Sequence, residues 1–152
     1  MTIAAILHRV HTKAPPARAF TLFTEHMSRW WPKGQTPGRS HVDVVVEPVV
    51  GGRWFERDAE GLETRWGTVL DWAPPQRLLL GWQLNTQFKY DPDLLTEVEL
   101  TFAPAADGGT LVTLEHRDLE RFGVDAEEMA GKIGRGWPER LADFAAYETA
   151  QS

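Results

Sequence analysis

Histidine is the side chain best suited to proton chemistry near neutral pH, and this chain has five: His8, His11, His26, His41 and His116. None forms a helical His-x-x-x-His pair, and the absence of cysteine removes the thiolates of a zinc set, so no metal site is expected. On a strand, His8 and His11 would point to opposite faces. Nucleophilic chemistry lacks its parts too: serine occurs only at 28, 40 and 152, with no Gly-x-Ser-x-Gly elbow. Gly134 and Gly136 have no strand before them, which denies a dinucleotide loop its context, and no cofactor is expected. Acid–base work is what survives. His116 falls on the apolar side of an alternating segment, and Glu56 or Glu47 could assist it if either pointed inward. No residue is assigned as catalytic; His116 takes that role only if the protein is an enzyme. The same position suits a hydrogen-bonded core histidine or a ligand contact. Arg53, Arg57 and Arg65 could reach a ligand carboxylate, although solvated strand-face charges are the commoner outcome.

The elements that must position these groups can be read from periodicity. Residues 3–12 alternate imperfectly and read as a first strand. Pro15-Pro16 fits a helix start, and Phe20, Phe23, Met27 and Trp30 follow at helical spacing, so 16–31 is one bent helix or two short ones. Neighbours on a helix cannot both face the core, so Trp30 and Trp31 should diverge. A Gly/Pro loop spans 33–40. Strands are then expected at 42–48, 51–58, 62–72, 77–84, 95–103 and 110–117, separated by turn signals such as Gly51-Gly52 and Pro74-Pro75. Val98, Leu100 and Phe102 alternate with Glu97, Glu99 and Thr101, giving one dry face and one wet. Residues 85–94 form a loop. Asp125 with Glu128 resembles a capping box opening a final helix, and Trp137, Leu141 and Phe144 supply its apolar stripe. Pro138 predicts a kink or split near 134–138.

The bulk composition narrows the classes. At 152 residues with 42% hydrophobic content, the sequence (1–152) reads as one domain able to bury a core. The formal charge of −6 and the lack of a basic stripe argue against nucleic acid. No apolar run suits a membrane span, residues 1–7 lack a basic flank for a signal peptide, and absent cysteines suit the cytoplasm, which is the expected location.

The ordered set of motifs is similar to a known family. The pieces are residues 15–23, Trp30-Trp31-Pro32, Gly51-Gly52-Arg53-Trp54, Trp66-Gly67-Thr68-Val69, Pro74-Pro75-Gln76-Arg77-Leu78, Trp82, Thr96-Glu97-Val98, residues 109–116, and Gly136-Trp137-Pro138. In this order they resemble the SRPBCC (START-like) superfamily, in the bacterial branch similar to the activator of heat-shock-protein ATPase. The resemblance implies an α+β helix-grip fold: a curved antiparallel sheet of about seven strands wrapped around a long C-terminal helix, with two short helices after the first strand. It also implies a cavity between sheet and helix, of the kind that carries lipids, sterols or polyketides. The eukaryotic activator has a separate chaperone-binding domain for which 152 residues leave no room, so a chaperone partner is not expected.

The resulting expectation is binding of a small hydrophobic or amphipathic molecule. Trp30, Trp31, Trp82 and His116 would contact it, with Trp54 as a further wall. Met129, Ile133 and Trp137 of the last helix would complete the lining. The alternatives are a cyclase- or dehydratase-like enzyme using His116, and a co-chaperone-like or self-associating module in which a homodimer is open.

Overall fold

Strand β7 (Thr110–Arg117) shows how the sequence builds the core: Thr110, Val112, Leu114 and His116 are buried, while the intervening residues are wetter. Its neighbour β6 (Thr96–Pro104) repeats the pattern, and the register sets Val98 opposite His116, Leu100 opposite Leu114 and Phe102 opposite Val112. A computed structural model describes residues 2–38 and 40–151. Met1, Arg39 and Ser152, the two ends of the 1–152 expectation and one residue of the 33–40 loop, lie outside the described residues.

Five more strands complete the sheet: β1 (Ile6–Thr12), β2 (His41–Val46), β3 (Arg53–Asp58), β4 (Glu63–Ala73) and β5 (Arg77–Trp82). The seven run β1-β7-β6-β5-β4-β3-β2, antiparallel throughout, so that sequential strands pair as a meander and β1 closes onto β7. Helices α1 (Pro16–Glu25) and α2 (Met27–Trp30) follow β1, and α3 (Ala126–Ala150) ends the fold. This is the expected α+β helix-grip architecture. A short 3₁₀ turn at Leu119–Phe122, which periodicity did not reveal, links β7 to α3.

Two glycines let the sheet bend. At Gly67 a Cβ would lie 1.7 Å from the Gly81 carbonyl oxygen, so β4 and β5 approach where no side chain could stand. Gly51 sits at φ 88 in the β2–β3 turn, a conformation other residues resist.

Three expectations are corrected. Trp30 and Trp31 are both buried, because Trp31 has already left the helix in extended backbone (φ −76, ψ 121), so the helical rule does not keep either from the interior, although their rings face different neighbours. Asp125 is the N-cap of α3, yet its side chain makes no capping hydrogen bond. Helix α3 runs unbroken through Pro138. An interior proline costs about 3 kcal/mol, and the buried stripe Met129, Ile133, Trp137, Leu141, Phe144 and Glu148 holds the helix on the sheet despite it.

Charge lies on the outer surface. Arg117 bonds Glu97, Glu99 and Glu115, and Arg77 bonds Asp71 and Glu99. Arg53 and Arg57 share Glu63 and cover the Phe55 ring, with Glu47 on Arg53. Arg65 bonds the Gly67 carbonyl and the Thr68 hydroxyl. The three arginines are thus engaged with side chains and carbonyls of the sheet. No helix of the described residues is long and apolar enough to cross a membrane.

Candidate ligand-binding cavity

Five of the seven tryptophans close into a ring. Trp31 meets Trp66 at 4.9 Å between ring centroids, Trp66 meets Trp54 at 5.3 Å, and Trp54 meets Trp82 at 6.0 Å. Trp82 meets Trp137 at 5.8 Å, and Trp137 returns to Trp31 at 6.1 Å. They come from the end of α2, from β3, β4 and β5, and from α3, so only the folded chain assembles them.

Four of the five indoles are pinned by their N–H. Trp31 donates to the Gln35 carbonyl (2.8 Å), Trp66 to Glu56 Oε1 (2.9 Å), Trp82 to the Leu84 carbonyl (3.1 Å) and Trp137 to His116 Nδ1 (3.1 Å). Each bond fixes a ring that would otherwise be free to slide against its neighbours. Trp54 is fully buried, and its N–H has no partner among the described residues.

Two cavities open beside this ring. One, of about 410 Å³, is lined by Trp31, Trp66 and Trp82 together with the 34–37 loop and residues 84 and 87–89. The other, of about 190 Å³, lies between Trp31, Trp82, Phe88 and the α3 residues Lys132, Ile133, Gly136, Trp137 and Arg140. They share Trp31, Gln35, Trp82 and Phe88, which makes them two lobes of one cleft.

The lips of the cleft are held by specific bonds. Glu56, buried on β3, accepts from the Thr36 hydroxyl (2.7 Å) and the Gly38 N–H (2.9 Å) as well as from Trp66. One carboxylate therefore ties the 34–38 loop to the indole ring. A Cβ at Gly38 would meet Glu56 Oε2 at 2.6 Å, so a side chain there would displace the carboxylate that holds the loop. The opposite lip is a turn in which Asn85 Oδ1 accepts the Gln87 and Lys89 N–H groups and Phe88 N–H bonds the Asn85 carbonyl. Phe88 there sits at φ 57, a costly left-handed position for a bulky residue, half-exposed over both lobes.

His116 lies behind this wall, fully buried, with Trp82 and Trp137 around it. An indole N–H can only donate, so Nδ1 is the acceptor and the ring proton rests on Nε2, facing Thr96 Oγ1 at 2.8 Å. Thr96 passes its own hydroxyl to the Trp82 carbonyl at 3.2 Å. Every nitrogen is satisfied in the neutral form. Burial pushes the imidazole pKa down to about 3.

The expected lining residues separate accordingly. Trp31, Trp82, Ile133 and Trp137 line the cleft; Met129 lines a neighbouring hollow of about 70 Å³. Trp54 and His116 stand behind the wall. Trp30 turns the other way, packing on Phe23 and Phe144 and donating to the Phe23 carbonyl. Trp66 and Arg140 are additions to the expected lining, and Gln35, Phe88 and Lys132 were not singled out within their segments. Phe88 lay in a loop without periodicity, and Trp66 read as plain core. Glu56 does point inward, but the loop and Trp66 take its oxygens, and Glu47 binds Arg53 at the surface. Among the described residues no three His, Asp or Glu side chains gather as a metal set.

Residues 13–148 match the family described as activator of Hsp90 ATPase homolog 1-like protein. The chain belongs to that family. Comparison with curated proteins gives no match. Among solved structures, this family member is similar to an anthrahydroquino-gamma-pyrone synthase, Txn09, complexed with SUM, at 34% identity and a TM-score of 0.68. That alignment covers 95% of this chain and 97% of the other. A self-sacrificing resistance protein, CalC from Micromonospora echinospora, is 29% identical with a TM-score of 0.70, covering 97% and 96%. The Aha1 dimer from Colwellia psychrerythraea shares the fold at 17% identity and a TM-score of 0.66, covering 94% of each chain.

Proposed function

We propose that this member of the family binds a planar, largely apolar small molecule in the tryptophan-walled cleft. The observation that carries the reading is the ring of pinned indoles opening onto two connected lobes of about 410 and 190 Å³. Together these fall in the range of ordinary small-molecule sites. Flat aromatic walls favour a flat aromatic ligand, which gains offset or edge contacts with each ring. The similarity to a synthase of an anthrahydroquino-gamma-pyrone, by its name a fused ring system, supports the same ligand class. Tryptophan fluorescence titrated with a neutral anthraquinone, a flavone and a naphthylamine tests it. Saturable one-to-one quenching at micromolar concentration is expected; three flat titrations overturn the reading.

The similarity to a synthase favours a second reading, in which the bound molecule is also converted. Such catalysis would rest on confinement and orientation rather than on His116, which is neutral and engaged at both nitrogens. Turnover of a confirmed substrate that survives His116→Gln fits this version, and turnover abolished with the fold intact restores acid–base chemistry to His116.

A further inference from the structure

The charged residues that line the cleft are all of one sign. The smaller lobe carries Lys132 and Arg140, and the larger carries Lys89. Among the described residues no aspartate or glutamate lines either lobe, in a chain with 22 acidic and 16 basic residues. A cleft assembled without regard to charge would collect carboxylates as readily as cations.

The cations are also spaced. Lys132, Gly136 and Arg140 recur every fourth residue on α3 and all three line the smaller lobe, so they form one face with the glycine between the charges. Glycine is the poorest non-proline residue for a helix interior, and such positions usually have a packing reason. The other two helical glycines have neighbours: a Cβ at Gly134 would touch Ile6 at 3.7 Å, and one at Gly131 would meet Arg135 at 3.4 Å. At Gly136 a Cβ would meet nothing within 4 Å. Its missing side chain therefore widens the lobe between two cations rather than accommodating the protein. Arg140 is mostly buried and oriented by Asp143 on Nε (3.0 Å) and Glu139 on Nη2 (3.4 Å). Lys132 is half-exposed, with Glu128 at 3.6 Å across the next turn.

Resting on the proposed ligand-binding cleft, we infer that the ligand carries an anionic group, and that it seats beside Gly136 between Lys132 and Arg140 while its rings lie against the indoles. The chemical class is an aromatic anion: a carboxylate, sulfonate or ionised phenol on a fused ring. A charge-assisted hydrogen bond to a partly buried guanidinium is stronger than a neutral one, which sets the size of the expected effect.

Two naphthalene dyes of similar shape separate the charge from the rings: 8-anilinonaphthalene-1-sulfonate, an anion, and N-phenyl-1-naphthylamine, which is neutral. Both should bind the intact protein and displace one another, the anion about tenfold more tightly. Lys132→Met combined with Arg140→Gln should bring the anion to parity and leave the neutral dye within twofold. Lys132→Met alone, at a half-exposed position, should remove part of the preference without disturbing the fold as read by circular dichroism. Gly136→Ala should raise the melting temperature, since helix propensity improves and nothing clashes, yet weaken the sulfonate more than the neutral dye. Equal affinities for the two dyes, or a preference unchanged in the charge variants, overturn the anion site while the cleft stands. If neither dye binds, the cleft reading falls as well.

Discussion

Leu141 and Phe144 in α3 are sealed among Phe23, Trp30 and the sheet, with Phe144 centred 5.1 Å from Phe23 and 5.5 Å from Trp30. Ile133 and Trp137, a few turns earlier on the same stripe, border an open cleft. Both ends of the helix are lined by aromatic side chains, so hydrophobicity does not distinguish them. The number of tethered rings does: at the closed end Trp30 donates to the Phe23 carbonyl, but the rings around it are phenylalanines. Phenylalanine has no polar handle, and Phe20, Phe23, Phe102 and Phe144 settle edge to face without directional constraint. Four of the five indoles at the other end are tethered through Nε1, each to a different acceptor. Rings held from behind cannot all slide inward, and the space between them persists.

Buried carboxylates sharpen the contrast. At the closed end Glu148 accepts the Ala14 and Lys13 N–H groups at 2.8 and 3.1 Å, tying the β1–α1 connection to α3. At the open end Glu56 ties a loop that lines a cavity. The same chemistry closes the core in one place and holds a lip in the other.

The largest effect should come from the closed end. Phe144→Ala is expected to cost about 3–5 kcal/mol in chemical denaturation and to leave dye affinity of the folded fraction unchanged; a loss of affinity matching the loss of stability would erase the distinction between the two ends. Next is the histidine behind the wall. His116 has a folded pKa of about 3 against an ordinary 6.5, so the unfolded chain binds the extra proton and stability falls as pH drops below about 6.5. Between pH 7 and 5 the loss should approach 2 kcal/mol, and His116→Gln should flatten that slope even if it lowers stability at pH 7. His41, whose pKa burial and the nearby Lys33 ammonium also depress, contributes in the same direction.

Glu56→Gln should cost about 1–3 kcal/mol, because a neutral amide meets three donors with one good acceptor, and it should weaken dye binding by freeing the 34–38 loop. Glu148→Gln should match it in stability and leave binding alone. Smallest in stability is Phe88→Ala, within about 0.5 kcal/mol at this half-exposed site, while ligand dissociation should accelerate several-fold in stopped-flow measurements. An unchanged off-rate would remove Phe88 from the cleft's working parts.

The fold was legible because its signals are local. Alternation through Val98, Leu100 and Phe102, and through Val112, Leu114 and His116, placed the inner face of β6 and β7, and double glycines and prolines marked the turns. The ends of elements shifted, as with β1, which begins at Ile6 rather than residue 3, and the 3₁₀ turn at Leu119–Phe122 has no periodic signal. The cleft was less legible because its parts meet only through tertiary structure. Trp31 lines the cleft as expected, but Trp30 beside it packs on Phe23 and Phe144, and nothing local tells the two apart. Trp66 alternates like any core residue, and nothing local shows that its ring borders space. Lys132, Gly136 and Arg140 did share helical spacing, and that pattern was the one overlooked local clue.

The indole ring has an optical consequence. Five chromophores whose centroids step by 4.9 to 6.1 Å around a closed circuit are close enough to couple their electronic transitions. Light absorbed by any one of them can migrate around the circuit before it is emitted. Emission polarisation should therefore be low even in a frozen glass, and near-ultraviolet circular dichroism should carry a coupled band that collapses when one member is replaced. A guest that takes up excitation from a single wall drains all five, so the protein reports its own occupancy without a label.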